Sequence, residues 1–128
     1  MPKRVLIADD EPNIVASLEF LMGRSGYEVA VARSGDEALA LVDSFRPDLV
    51  LLDLMMPARS GYEVCRRIRE RRDCDGVRIV ILSAKGTEAE VSKGLSLGAD
   101  AYVTKPFSNH ALLGEIAALL ASTEGPPR

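Results

Sequence analysis

Short apolar runs alternate with segments of helical period five times along this chain, and that alternation constrains the fold more than any other feature. The runs cover residues 4–8, 28–32, 49–52, 78–82 and 101–103. The first, third and fourth are almost continuously apolar, which suits strands of a parallel sheet that is covered on both faces. Between the runs, Ile14, Leu18, Leu21 and Met22 share one helical face. Ala38, Leu41, Val42 and Phe45 have the spacing of an amphipathic helix, and so do Gly61, Val64, Cys65 and Ile68. Val91 and Leu95 mark a weaker fourth helix, and Leu112, Leu113, Ile116, Leu119 and Leu120 a fifth that is apolar on most sides.

Local punctuation agrees. Ser34 with Glu37, Ser60 with Glu63, and Thr87 with Glu90 each have capping-box spacing, in which a hydroxyl and a carboxylate satisfy orphan amides at a helix start. Asp10 ahead of Pro12 suits an N-cap followed by a proline in the first turn. Gly26, Pro47 and Gly98 stop the first, second and fourth helices. Strict strand–helix alternation predicts an α/β fold with right-handed crossovers and helices on both faces of the sheet. With 128 residues the chain reads as one domain over residues 1–121, and residues 122–128 as a tail or the start of a linker.

Charge and composition exclude several classes. Sixteen basic against nineteen acidic residues leave a net charge of −3, too mild to imply a nucleic-acid or membrane partner. No apolar run approaches the roughly 18 residues of a membrane span. The opening has only four apolar residues before two acids, too few for a signal-peptide core, so a cytoplasmic location is expected. Cys65, Cys74 and the single histidine, His110, do not have zinc-site spacing, and the two cysteines read as reduced thiols. Any metal would therefore use oxygen donors, which favours Mg²⁺, Mn²⁺ or Ca²⁺.

In an open parallel sheet, ligands gather outside the carboxyl ends of the strands. Asp9, Asp10 and Glu11 follow the first strand, Asp53 the third, Ser83 and Ala84 the fourth, and Lys105 and Pro106 the fifth. The second contributes only Arg33 and Ser34, as an edge strand would. Each feature alone has a plain structural reading as a cap or a turn; their convergence on one rim does not. Clustered carboxylates repel, and each tends to hold a proton unless a cation neutralises the group. A hard cation, a lysine, a hydroxyl and a spare carboxylate together suit phosphoryl transfer to that carboxylate.

These residues resemble the receiver domain of two-component response regulators over about residues 3–121. The resemblance rests on Ile-Ala-Asp9-Asp10-Glu11, Asp48-Leu-Val-Leu-Leu-Asp53-Leu-Met-Met-Pro57, Ile81-Leu-Ser83-Ala84 and Gly98-Ala-Asp-Ala-Tyr102-Val-Thr-Lys105-Pro106-Phe107. It implies a flavodoxin-like three-layer fold with strand order 2-1-3-4-5. It also implies that Asp53 accepts a phosphoryl group from a sensor histidine kinase or a histidine phosphotransfer protein. By the same resemblance, Asp10 binds Mg²⁺ directly, Asp9 directly or through water, Asp53 is a further ligand, and the Met55 backbone carbonyl adds another, with Mn²⁺ as the alternative ion. Ser83 would donate to a phosphoryl oxygen, Lys105 would pair with the phosphate, and Tyr102 would be the aromatic switch. The Lys105–Pro106 peptide is expected to be cis. Serine at 83 replaces the commoner threonine and keeps the hydroxyl. The domain is then no enzyme in the usual sense: it catalyses its own Mg²⁺-dependent phosphorylation and dephosphorylation.

Two rivals are weaker. A haloacid-dehalogenase-like phosphatase also uses a strand-end aspartate, but wants an acid two residues later, where Met55 stands. A pseudo-receiver would lack one of the key residues, and all are present. Tyr102 also has a plain reading as a half-buried edge aromatic, and His110 reads as having no role. Arg66, Arg67, Arg69, Arg71 and Arg72 read as a solvated face whose last two members suit a helix C-terminus, without direct nucleic-acid contact. On the fifth helix, Leu113 with Leu120 and Leu112 with Leu119 form two rows. One is expected to face the sheet and the other to favour self-association or an output partner at helix four, strand five and helix five. Neutralising Asp9 or Asp10 is expected to stabilise the metal-free fold.

Overall fold

The computed structural model describes residues 2–122. Strands β1 (Arg4–Ala8), β2 (Glu28–Ala32), β3 (Leu49–Asp53), β4 (Arg78–Ser83) and β5 (Ala101–Thr104) alternate with helices α1 (Pro12–Arg24), α2 (Gly35–Ser44), α3 (Gly61–Arg69), α4 (Glu88–Ser96) and α5 (Asn109–Ser122). All strands pair in parallel in the order β2-β1-β3-β4-β5, the flavodoxin-like arrangement. Apart from Ser122, which ends α5, the expected tail lies outside the described residues.

Because strand side chains alternate between faces, each central strand feeds two cores. Val5 and Ile7 of β1, Leu49 and Leu51 of β3, and Val80 and Leu82 of β4 pack with α1 and α5. Leu6, Ala8, Val50, Leu52, Ile79 and Ile81 face the other way, against Ala38 and Val42 of α2 and Val64, Cys65 and Ile68 of α3. That double burial is why the sequence of these strands is nearly all apolar. β2, by contrast, is only half-buried at the sheet edge. Strands β3, β4 and β5 each run one residue beyond the expected ends, because the ladder continues through Asp53 opposite Leu82 and Ser83 opposite Thr104.

The hydroxyl half of the three capping boxes holds, since Ser34, Ser60 and Thr87 accept the amides of Glu37, Glu63 and Glu90. Of the carboxylates, Glu37 accepts the Arg33 amide at 3.1 Å, whereas Glu63 pairs with Arg59 and Arg67 and Glu90 accepts from the Tyr62 hydroxyl. Gly26 and Gly98 take φ of 89° and 110°, the left-handed turn that ends a helix without a Cβ penalty. The α1 cap differs from expectation. Glu11 is the N-cap, its longer side chain looping back to the amides of Asn13 and Ile14 at 3.3 and 2.8 Å. Asp10 is therefore not spent on the helix.

On α5 the two-row reading fails. At 100° per residue, positions 112, 113, 119 and 120 all fall within about 60° of position 116, so they make one wide face. Leu112, Ile116 and Leu120 are buried, and Leu113 and Leu119 flank them half-buried against the same core. On α4 the buried residue is Gly94, while Leu95 is exposed. Cys65 and Cys74 are buried and unbridged, and burial pushes the Cys65 thiol up to about 11. No helix among the described residues is long and apolar enough to cross a membrane.

Candidate phosphoacceptor site

Strand register assembles the site. Ala8 pairs with Leu52, so Asp9 comes level with Asp53. Asp53 pairs with Leu82 and Ser83 with Thr104, which places Ser83 and Lys105 on the same rim. Asp9, Asp53 and Ser83 are buried, whereas Asp10 is exposed. Asp9, Asp10 and Asp53 each offer an oxygen, and these lie within 4.8 Å of one another.

The carboxylates are not equivalent. Asp9 Oδ2 accepts from Lys105 Nζ at 3.0 Å, and its Oδ1 accepts from the Glu11 amide at 3.0 Å. Asp53 Oδ1 accepts a long bond from the Met55 amide at 3.3 Å and lies 3.7 Å from Lys105 Nζ. Burial, and next the Asp9 charge, push the Asp53 carboxyl above its ordinary value, against the opposing pull of Lys105 and the Met55 amide. An all-oxygen cluster with a carboxyl strained in this way fits a hard divalent cation.

The remaining members converge from neighbouring elements. Ser83 Oγ accepts the Lys85 amide at 3.1 Å, which leaves its hydroxyl proton to donate. The Lys105 amide donates to the Ser83 carbonyl at 2.8 Å, and the Lys105–Pro106 peptide is cis. Tyr102 is half-buried, and its hydroxyl donates to the Lys85 carbonyl, tying β5 to the connection that follows Ser83. Gly61 opens α3 directly against β3: a Cβ there would fall 2.4 Å from the Asp53 carbonyl oxygen. Beside Lys105, a groove of about 420 Å³ is lined by Glu11, Ile14, Ser17, Pro106 and Phe107.

The profile of the response regulator receiver domain matches residues 5–117. The chain belongs to that family. The receiver fold is closely shared with solved relatives. A CheY-like response regulator receiver domain protein from Methanospirillum hungatei is 30% identical with a TM-score of 0.90, the match covering 97% of this chain and 98% of that one. The receiver domain of the Francisella response regulator 1452 is 31% identical with a TM-score of 0.89, over 95% and 99%. The signal receiver domain of a histidine kinase from Syntrophus aciditrophicus is 28% identical with a TM-score of 0.89, over 98% and 95%. The chain is thus a phosphorylation-dependent signalling switch of two-component systems, whose phosphoryl donors are histidine kinases or phosphotransfer proteins.

Asp9, Asp10, Asp53, Ser83 and Lys105 lie on one rim of this receiver domain, Met55 lies in the connection after β3, and Tyr102 stands within β5 opposite Ile81. The basic run behaves differently from expectation at Arg69. Its guanidinium is largely buried, bonding Asp100 and the Gly98 carbonyl at 2.8 Å each and the Cys74 carbonyl at 3.2 Å. Arg66 and Arg67 pair with Glu70 and Glu63 on the α3 surface. Arg71 and Arg72 lie past the end of α3, and Arg71 pairs with Asp43 and Asp73. Sequence reading missed the Glu11 cap and the Asp100 acceptor, because both depend on where a side chain reaches rather than on spacing.

Proposed function

We propose that Asp53 is the phosphoacceptor of this receiver. The observation that supports it is the asymmetry among the three acids. Asp9 is already engaged by Lys105 and the Glu11 amide, Asp10 stands in solvent, and Asp53 is buried with only one long amide bond. An Asp53 oxygen attacks the phosphorus of a phosphohistidine, the P–N bond breaks, and the imidazole nitrogen leaves with the bonding pair. Asp9, Asp10, Asp53 and the Met55 carbonyl would hold Mg²⁺, or Mn²⁺ in its place. When bound, the cation neutralises charge on the acids and the transferred phosphoryl oxygens. Lys105 sits within reach of both buried acids, so it can follow the new negative charge onto the phosphate. The Ser83 hydroxyl donates to a phosphoryl oxygen.

Moving Ser83 shifts the connection whose Lys85 carbonyl holds the Tyr102 hydroxyl, and so passes the change to β5 and α4. The output surface is α4, β5 and α5, where the exposed Leu95 rather than an α5 leucine row offers apolar contact to a second copy or an output partner. The domain accelerates its own phosphorylation and dephosphorylation. A cytoplasmic setting, with no direct nucleic-acid contact, accords with ATP-derived donors and ion-paired surface arginines. Incubation with a ³²P-labelled histidine kinase tests the reading. Label should pass to the chain with Mg²⁺ and stop with EDTA; transfer undiminished by EDTA would overturn it.

A further inference from the structure

Three of the four groups assigned to the cation sit at or beside strand ends, but Met55 lies in the connection between β3 and α3. A connection holds a ligand in place only if something fixes it. On its inner side, Met55 is tied to Asp53 Oδ1, and the Gly61 amide donates to the Leu54 carbonyl at 3.0 Å. Its outer side rests on the first turn of α2. The Gly35 amide donates to the Pro57 carbonyl at 3.2 Å, the Arg59 amide donates to the same oxygen at 2.9 Å, and Ala58 between them is held at φ 73°.

The two backbones meet with no room for a side chain. A Cβ on Gly35 would fall 2.5 Å from Arg59 Cβ and 2.6 Å from the Arg59 carbonyl oxygen. Neither atom can swing away, since both are fixed to the backbone. The Arg59 guanidinium then closes the junction, bonding Asp36 of α2 through Nε and Glu63 of α3 through Nη1. One residue therefore spans α2, the connection and α3. An exposed ion pair alone contributes little, but here it backs a close backbone contact and a non-glycine residue in a left-handed conformation.

We propose that Gly35 and Arg59 are positioning residues for the divalent cation: they clamp the Met55 connection against α2 and so set the affinity of the site. This rests on the Mg²⁺ reading above. Neither residue supplies a ligand, so the effect is that of an outer shell, where substitutions typically cost about 10–100-fold in metal affinity.

Mn²⁺ binding, followed by electron paramagnetic resonance of the free ion and competed with Mg²⁺, is the test. Variants are Arg59→Ala, Arg59→Lys and Gly35→Ala, with Asp10→Asn as ligand control. Arg71→Ala, which breaks ion pairs elsewhere on the α2–α3 surface, is the remote control. Arg59→Ala and Gly35→Ala should weaken binding about 10-fold, Arg59→Lys should recover part of it, and Arg71→Ala should match wild type. The Arg59→Ala loss should shrink at high salt. If Gly35→Ala fails to fold, Arg59→Ala decides. Wild-type affinity in Arg59→Ala, with Asp10→Asn clearly weakened, overturns the clamp alone. An unchanged Asp10→Asn overturns the metal reading and the clamp with it.

Discussion

Replacing Asp53 by asparagine should make the metal-free protein more stable. Lys105 Nζ stands 3.7 Å from Asp53 Oδ1, a gross attraction of about 4.5 kcal/mol at an effective dielectric of 20. Asp9 and Asp10 offer oxygens within 4.8 Å, so each repels Asp53 by at least about 3.5 kcal/mol on the same scale, the exposed Asp10 being further screened. Before the screening of Asp10 the two repulsions together exceed the attraction, and the burial of an ionised carboxylate acts in the same direction. Asparagine keeps an oxygen for the Met55 amide and removes the charge. The expected gain is about 1–3 kcal/mol, at roughly 3–5 °C in Tm per kcal/mol for a domain of this size.

The pH dependence has a definite sign. The folded-state pKa of Asp53 lies above 3.8, so the folded state binds more protons than the unfolded one between those two values. Wild type therefore loses stability as pH rises through that window, and its deficit against Asp53→Asn is full above the folded pKa and absent below 3.8. Thermal unfolding by far-UV circular dichroism in EDTA at low salt measures both. Added Mg²⁺ at 100 times its Kd should return about 2.7 kcal/mol to wild type and less to the variant. A variant no more stable than wild type at neutral pH, or a gap that widens toward acid, would refute the reasoning.

Asp9→Asn should act in the opposite sense, although sequence alone suggested that neutralising it would stabilise. The Asp9 carboxylate holds Lys105 at 3.0 Å and the Glu11 amide, so its loss should cost about 1–3 kcal/mol in urea unfolding; a more stable variant would show the pair to be inert. Asp100→Ala should cost about 3–5 kcal/mol, because Asp100 accepts from Arg69, Arg78 and the Ile79 amide and its removal takes the shared carboxylate from two largely buried guanidinium charges. A loss under 1 kcal/mol by the same assay would place those arginines in solvent.

Periodicity carried the elements because each central strand is buried on two faces and each helix on one. The rim residues were legible too, since a parallel sheet puts every strand's carboxyl end on the same side. Side-chain reach was not legible. Nothing in the spacing distinguishes Asp10 from Glu11 as the α1 cap, and only the longer side chain of Glu11 settles it. The α5 leucines read as two rows because heptad pairs were compared two at a time, whereas all four share one face with Ile116 at its centre. Arg69 looked like one more surface arginine until Gly98, Cys74 and Asp100 were brought to it by the fold. The contact between Gly35 and Arg59 joins residues 24 positions apart in sequence, and only the crossover from α2 through β3 brings them together.

Intact mass after incubation with acetyl phosphate and Mg²⁺ tests the central claim most directly. Wild type should gain the mass of one phosphoryl group, labile to hydroxylamine as an acyl phosphate is, and Asp53→Ala should gain none while keeping its far-UV spectrum. A folded Asp53→Ala that still takes up one phosphoryl group would contradict the assignment of Asp53 as acceptor.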